Sequence, residues 1–322
     1  MARIDALPFR RQEQSNMGKA SHLVSTVEVG IETKDRLLEW AELQLAPRQQ
    51  EGNQYILSGY RPLSLSIKDC FKSWIYLHNE TVNIFSHVLG SILFLVLPFV
   101  VLSREAPRRW SIATSGDKAV CCIYFGGVAI CFALSTIFHT LLCHDNGRIV
   151  SLGLQLDFLG VLLLMWGATV PMIYYGFVCD PTLRWIYWAL QTGLTFATAI
   201  YSMRPSFRAP PLKVLRALTF GGSALSSLVP IVHAVVRYGW AVQVRRMGLV
   251  WVLVTLALNA MGTVAYACKF PEAIAPRSFD LFGASHQILH VAVICAGVTH
   301  MLGILQAFDF LHNKGNTCVI RG

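Results

Sequence analysis

Ser285-His286-Gln287-Ile288-Leu289-His290-Val291-Ala292-Val293-Ile294-Cys295-Ala296 opens an apolar run that continues to Leu311, and its reading decides what kind of protein this is. The run Ala284–Leu311 exceeds the roughly 20 apolar residues that cross a bilayer core. Yet it begins with two histidines. Ionisable side chains inside spanning helices are costly and mark function. His286 and His290 are four residues apart, displaced by about 40° around a helix and about 6 Å along it. Both imidazoles can therefore face one ion, as in helical HxxxH zinc sites.

Working outward, six further runs have the same character: Val82–Leu102, Ala119–Leu142, Ser151–Phe177, Leu183–Met203, Lys213–Val236 and Met247–Cys268. The composition agrees. Hydrophobic residues make up 54% and charged residues 14% of the 322-residue chain, with a mean hydropathy of +0.50, whereas soluble domains carry about 25% charged residues. The expected fold is an all-α membrane protein, a seven-transmembrane helix bundle. Its expected organisation is a cytoplasmic tail over residues 1–52, a seven-span domain over 53–312 and a short tail over 313–322. No internal repeat suggests an inverted-repeat transporter, and transport would also place ionisable groups through the whole membrane depth. Met1 to Asn53 is polar and mixed in charge, without the early apolar stretch of a cleavable signal peptide.

An odd number of spans puts the termini on opposite faces. With the N-terminus inside, seventeen Lys and Arg residues fall on the inner side and ten on the outer, so the positive-inside rule selects a cytoplasmic N-terminus. Arg61, Lys68 and Lys72, just before the first span, agree. The net charge of +9 then serves orientation and anionic headgroups rather than nucleic acid. Thr33 to Leu45, with Leu37, Leu38, Ala41 and Leu45 on one face, reads as a short amphipathic helix on the membrane or over the bundle.

Alternation of direction brings the end of the second run and the starts of the third and seventh to one face. His139, Asp157, His286 and His290 thus share one layer. Three histidines with an open fourth position form a catalytic-type zinc arrangement, in which zinc lowers the pKa of its water to about 7. Gln287 stands where HExxH enzymes carry their base and cannot replace it. Asp157 is the best-placed proton carrier, and Ser135, one turn before His139, can hydrogen-bond within the site. His139, His286 and His290 are therefore the candidate Zn2+ ligands, and Asp157 and Ser135 the candidate catalytic residues.

Other polar residues get plainer readings. His87, His233 and His300 are expected to hydrogen-bond between helices; His300 lies roughly 15 Å deeper than His290. His22, His144 and His312 are expected in solvent, and Asp280 at the cap of the seventh helix or paired with Arg277. The nine cysteines show no disulfide spacing and are read as packing. Gly221-Gly222 is read as a close helix contact, and Asn79-Glu80-Thr81 as an unmodified sequon.

Several spaced motifs resemble the progestin and adipoQ receptor (PAQR) family, which includes adiponectin receptors and haemolysin III-related proteins. They are Ser135-Thr-Ile-Phe-His139, Asp157-Phe-Leu-Gly160, Pro271-Glu272 and Ser285-His286-Gln287-Ile-Leu-His290, with Gly59-Tyr-Arg-Pro62 and His78-Asn-Glu-Thr-Val-Asn-Ile-Phe-Ser-His87 upstream. The likeness covers about residues 52 to 311 and is nearest to a fungal branch linked to zinc homeostasis. Ala273 and Arg277 depart from the pattern of the loop before the seventh span. The resemblance implies a cytoplasmic N-terminus, zinc on His139, His286 and His290, and residence in the plasma membrane rather than the endoplasmic reticulum. It further implies zinc-dependent hydrolysis of ceramide to a sphingoid base and a fatty acid. Expected partners are membrane lipids, a ceramide or sterol-like ligand and an extracellular protein ligand. The alternative is a non-catalytic signalling protein of zinc and lipid homeostasis, with structural zinc.

Overall fold

The computed structural model describes residues 37–40, 53–103, 109–204, 212–313 and Cys318. Among these the fold is helical: α1 (Ile67–Lys72), α2 (Thr81–Ser103), α3 (Arg109–Ile112), α4 (Ser115–Leu141), α5 (Gly147–Gly176), α6 (Pro181–Ser202), α7 (Lys213–Ser226), α8 (Leu228–Tyr238), α9 (Trp240–Arg246), α10 (Leu249–Cys268) and α11 (Ser285–Asn313). Six stretches are long and apolar enough to cross a bilayer: Thr81–Val101, Ser115–Leu141, Gly147–Gly176, Val214–Tyr238, Leu249–Cys268 and Ser285–Asn313. Helix α6 has 22 residues and occupies the remaining expected span. Arg184, Gln191, Thr192, Thr195 and Thr198 make it less apolar, and it is not among the six.

Local chemistry sets the helix starts. Thr114 and Asp117 form a reciprocal capping box at α4, satisfying amide groups that no helical carbonyl can reach. The Asn146 side chain accepts from Arg148 N at α5, and Asp180 accepts from Leu183 N at α6, with Pro181 following. The fifth expected span breaks at Ser227 into α7 and α8. Pro230 lacks the N–H that would bond Ser226 O, and Gln191 Nε2 of α6 donates to that oxygen instead at 3.0 Å.

The main packing pairs are α4 with α5, α10 with α11 and α2 with α4. Between α4 and α5 the backbones nearly touch: a Cβ on Gly127 would lie 3.1 Å from Leu163 O, and one on Gly167 3.1 Å from Ile123 O. Small residues at such crossings allow close helix packing. Gly221 and Gly222 have open space beside them, which corrects the expectation that they are such a contact. The central core gathers Phe94, Tyr124, Phe132 and Phe308. Large apolar side chains point outward from the helices, with Leu89 65% and Phe99 77% exposed. An outer surface of that kind requires an apolar surrounding.

The expected amphipathic helix over Thr33–Leu45 is not what residues 37–40 form. Leu38 pairs antiparallel with Tyr60, its N–H donating to Tyr60 O at 2.7 Å and its carbonyl accepting from Tyr60 N at 3.1 Å. The rest of that stretch, His22, the bulk of the 1–52 tail and most of the tail beyond 313 lie outside the described residues. Cys179 and Cys318 form a disulfide, which corrects the reading of all nine cysteines as packing. Cys179 follows the far end of α5, opposite the end that adjoins His139.

Candidate metal centre

His139 stands near the last turn of α4, while His286 and His290 open α11. The three rings meet in pairs, with centroids 5.0 Å apart for His139–His286, 4.8 Å for His139–His290 and 4.8 Å for His286–His290. One nitrogen from each ring falls within 4.8 Å of the others. Three imidazoles from two helices distant in sequence thus converge, as alternation of direction predicts.

The second ring nitrogens explain which atoms face inward. His139 Nδ1 donates to Glu80 Oε2 at 2.7 Å, and Asn83 Nδ2 steadies the same carboxylate oxygen at 2.7 Å. His139 Nε2 is buried without any hydrogen-bond partner. Leaving such an atom unpaired costs about 1–3 kcal/mol, and a metal ion would satisfy it. His290 Nδ1 faces Asn83 O at 3.2 Å, leaving its Nε2 for the centre. Ligating histidines commonly hold their other nitrogen on a carboxylate or carbonyl in this way. The donor set therefore fits a divalent ion that accepts neutral imidazoles, a class that includes zinc.

Glu80 lies one residue before α2. Burial disfavours its charge, but His139 beside it, reinforced by the Asn83 amide, holds the carboxyl below the usual carboxylate range. Sequence reasoning met Glu80 only within a sequon and a family motif and gave it no role. The available signal was its place: a carboxylate entering the first span at the depth of the histidines. Arg61 was likewise read as an orienting charge. It is 1% exposed and donates to His139 O at 2.6 Å, Thr140 O at 3.1 Å and Ser73 Oγ at 2.9 Å. It thereby clasps the carbonyl end of α4, where a cation is favoured by the helix dipole.

Asp157 also reaches the site. Ser135 is buried on α4 one turn before His139, and Asp157 lies on α5, the helix packed against α4. A cavity of about 630 Å³ is lined by Glu80, His139, Asp157 and His286, with Arg216 and Lys269 among its other walls. Gln287 is otherwise engaged: its Oε1 accepts from Gly283 N at 2.6 Å, and its Nε2 donates to Leu281 O at 3.0 Å. It fastens the start of α11 with its amide.

The remaining histidines divide. His233 meets Tyr187 Oη at 2.6 Å and His300 meets Ala168 O at 2.9 Å, both between helices as expected. His87 does not. Its ring stacks on His290 at 3.7 Å and 10°, and neither nitrogen has a hydrogen-bond partner. His144 is buried and accepts from Asn146 N, and His312 pairs with Asp117 at 3.1 Å, so neither is the solvated residue expected. Asp280 accepts from Leu57 N at 3.0 Å and Ser58 Oγ at 2.6 Å, while Arg277 pairs with Glu39. The cap of α11 is Glu272, which accepts from Ser285 N at 2.8 Å and from Ser285 Oγ.

Comparison with known proteins agrees with this frame. The sequence model of the Haemolysin-III related family matches residues 75–301. The chain is 33% identical to ADIPOR-like receptor IZH2 of Saccharomyces cerevisiae over 92% of both chains. It is 36% identical to the adiponectin receptor protein of Drosophila melanogaster, over 81% of this chain but only 57% of the fly protein's length. Heptahelical transmembrane protein 1 of Arabidopsis thaliana is 32% identical over 87% of this chain and 83% of its own. With its apolar helices and outward-facing hydrophobic side chains, this is an integral multi-pass membrane protein in contact with lipid, and it belongs to the Haemolysin-III related family of adiponectin-receptor-like proteins.

Proposed function

We propose that residues 53–312 form a seven-span domain whose three-histidine centre holds zinc and hydrolyses a lipid amide of the ceramide class. The observation that carries this reading is the buried, partnerless Nε2 of His139 beside His286 and His290, at the wall of a cavity that Asp157 also lines. When bound, zinc would supply a Lewis acid and a ready source of nucleophile from water at neutral pH. The chain's own groups do the rest. Glu80 and Asn83 fix the two ligand rings in orientation, Asp157 accepts and returns a proton, and Ser135 aims that carboxyl. Arg216 and Lys269 put positive charge on the cavity wall, where a product carboxylate would form. A site one or two turns inside the helix ends suits a substrate whose chains stay in lipid.

The positive-inside count supports an N-terminus in the cytoplasm and a metal centre near that face. The Cys179–Cys318 disulfide at the opposite end fits an oxidising exterior, and family resemblance favours the plasma membrane. Among the described residues the grouped donors number three, which leaves room for water or substrate and favours turnover over structural zinc.

The test is metal analysis of the purified protein beside His139→Ala and His286→Ala, with ceramide turnover measured on the same samples before and after chelation. One zinc per chain and chelator-sensitive turnover are expected in the wild type, and neither in the variants. Full zinc without turnover would leave only the receptor reading; wild type without bound metal would end both.

A further inference from the structure

His87 has no part in the chemistry assigned to the centre, yet it lies against one of the ligands. It stands on α2 one turn beyond Asn83 and is 6% exposed. Neither of its ring nitrogens has a hydrogen-bond partner, and unpaired polar atoms in a buried place are costly. Its polarity therefore works against the folded chain, and what it gives in return has to come from the contact its ring makes.

That contact is with His290. The two rings lie flat on one another, their centroids 3.7 Å and their planes 10° apart, and the Phe132 ring adjoins His87 at 4.7 Å and 32°. Helix α2 also holds His290 by an edge: the Nδ1 of His290 faces Asn83 O at 3.2 Å and Ser86 Oγ at 3.5 Å. Positions 83, 86 and 87 are three and four residues apart and share one helical face. A hydrogen bond at one nitrogen leaves an imidazole free to swing about that point, and a flat neighbour stops the swing. His286 lacks such a neighbour, since it meets His139 at 88° and Tyr266 at 78°, both edge-on.

Stacking also separates the empty protein from the loaded one. A divalent ion draws electron density from the imidazole it binds, whereas the face of a neighbouring ring is negative, so the attraction between the two grows when metal is held. We propose that His87 is a positioning residue of the metal centre: stacked flat on His290, it fixes the plane of that ligand and raises metal affinity without being one of the grouped donors. The inference rests on the reading of His139, His286 and His290 as metal ligands and is independent of lipid-amide turnover.

The experiment compares the full chain with His87→Leu and His87→Phe in lipid nanodiscs. Zinc affinity is read by competition against a chromophoric chelator, ligand geometry by the visible bands of the Co2+-loaded forms, and folding by thermal midpoints of the metal-free forms. Leucine keeps bulk without a flat face; phenylalanine keeps the face without the nitrogens. His87→Leu is expected to bind zinc about 2–10-fold more weakly, the range of one aromatic pair, with altered Co2+ bands. His87→Phe is expected to stay within about twofold of wild type, with wild-type bands. The metal-free midpoint of His87→Leu is expected at or above that of wild type, because two unpaired nitrogens are gone; a merely structural residue would lower it. Wild-type zinc affinity in His87→Leu would overturn the proposal, as would a lowered metal-free midpoint there. An equal loss of affinity in His87→Phe would also overturn it, by giving the work to a ring nitrogen. Should His87→Leu fail to fold, His87→Met supplies the side chain without a ring. A wild type that binds no metal would end the three-histidine reading and this inference together, whereas a loaded wild type with an unaffected His87→Leu would end this inference alone.

Discussion

Glu80→Ala removes the acceptor that holds His139 Nδ1 at 2.7 Å. The loss is sized by what stays behind. The imidazole N–H remains buried without a partner, Asn83 Nδ2 loses its acceptor as well, and the ring is free to turn its Nε2 from the centre. A buried hydrogen bond to a charged group contributes about 1.5–3 kcal/mol, which corresponds to roughly 10–150-fold in a dissociation constant. Outer partners of metal ligands typically cost about 10–100-fold when mutated, so the two routes agree. Glu80→Gln keeps an acceptor oxygen but not the charge, and is expected to lose about the square root of that factor, roughly 3–10-fold. The assay is competition for zinc against a chromophoric chelator in nanodiscs, with thermal midpoints of the metal-free forms measured alongside to separate folding from affinity. Glu80→Ala binding zinc within about twofold of wild type, with an unchanged metal-free midpoint, would refute the role given to this carboxylate.

Arg61→Met leaves the carbonyl of His139 without its buried side-chain donor, at about 1–3 kcal/mol, and that of Thr140 with only the weak Cys143 thiol at 3.7 Å; a lower thermal midpoint and weaker zinc binding are expected together, with Arg61→Lys intermediate. Gly248→Ala places a side chain on a backbone at φ +61 and drives its Cβ into the Gly303 backbone. That contact joins α10 to α11, so a drop of about 2 kcal/mol or more is expected by thermal unfolding in nanodiscs, and an unchanged midpoint would show that the helices can part there freely.

The long helices were legible because lipid imposes one simple demand, a sustained apolar run, and the expected ends fall within a few residues of those observed. The depth of His139, His286 and His290 followed from alternation of direction alone. Contacts set by tertiary geometry were not legible. A proline at position 230 announces a weak point, but nothing in the string says that Gln191 repairs it. Arg61 looked like a flanking charge and Glu80 like the middle of a sequon because a linear reading cannot show that the segment before α2 folds against the bundle. The bond between Cys179 and Cys318, 139 residues apart, has no local signature either. His87 carries the same lesson in reverse: its stacking on His290 appears only once α2 and α11 are side by side.

The Glu272 carboxylate accepts from Asn53 Nδ2 at 2.6 Å and from Ser285, and Asp280 accepts from Leu57 and Ser58. Three pieces of chain, one before the first helix, one between the last two and one at the head of the last, are thereby stitched into a single panel beneath the histidines. Such a panel is inherited whole. Chimaeras between relatives that exchange the front segment without the 269–285 connection bring mismatched seams to the very place where the ligands are aimed, so a compatible transplant has to move both together.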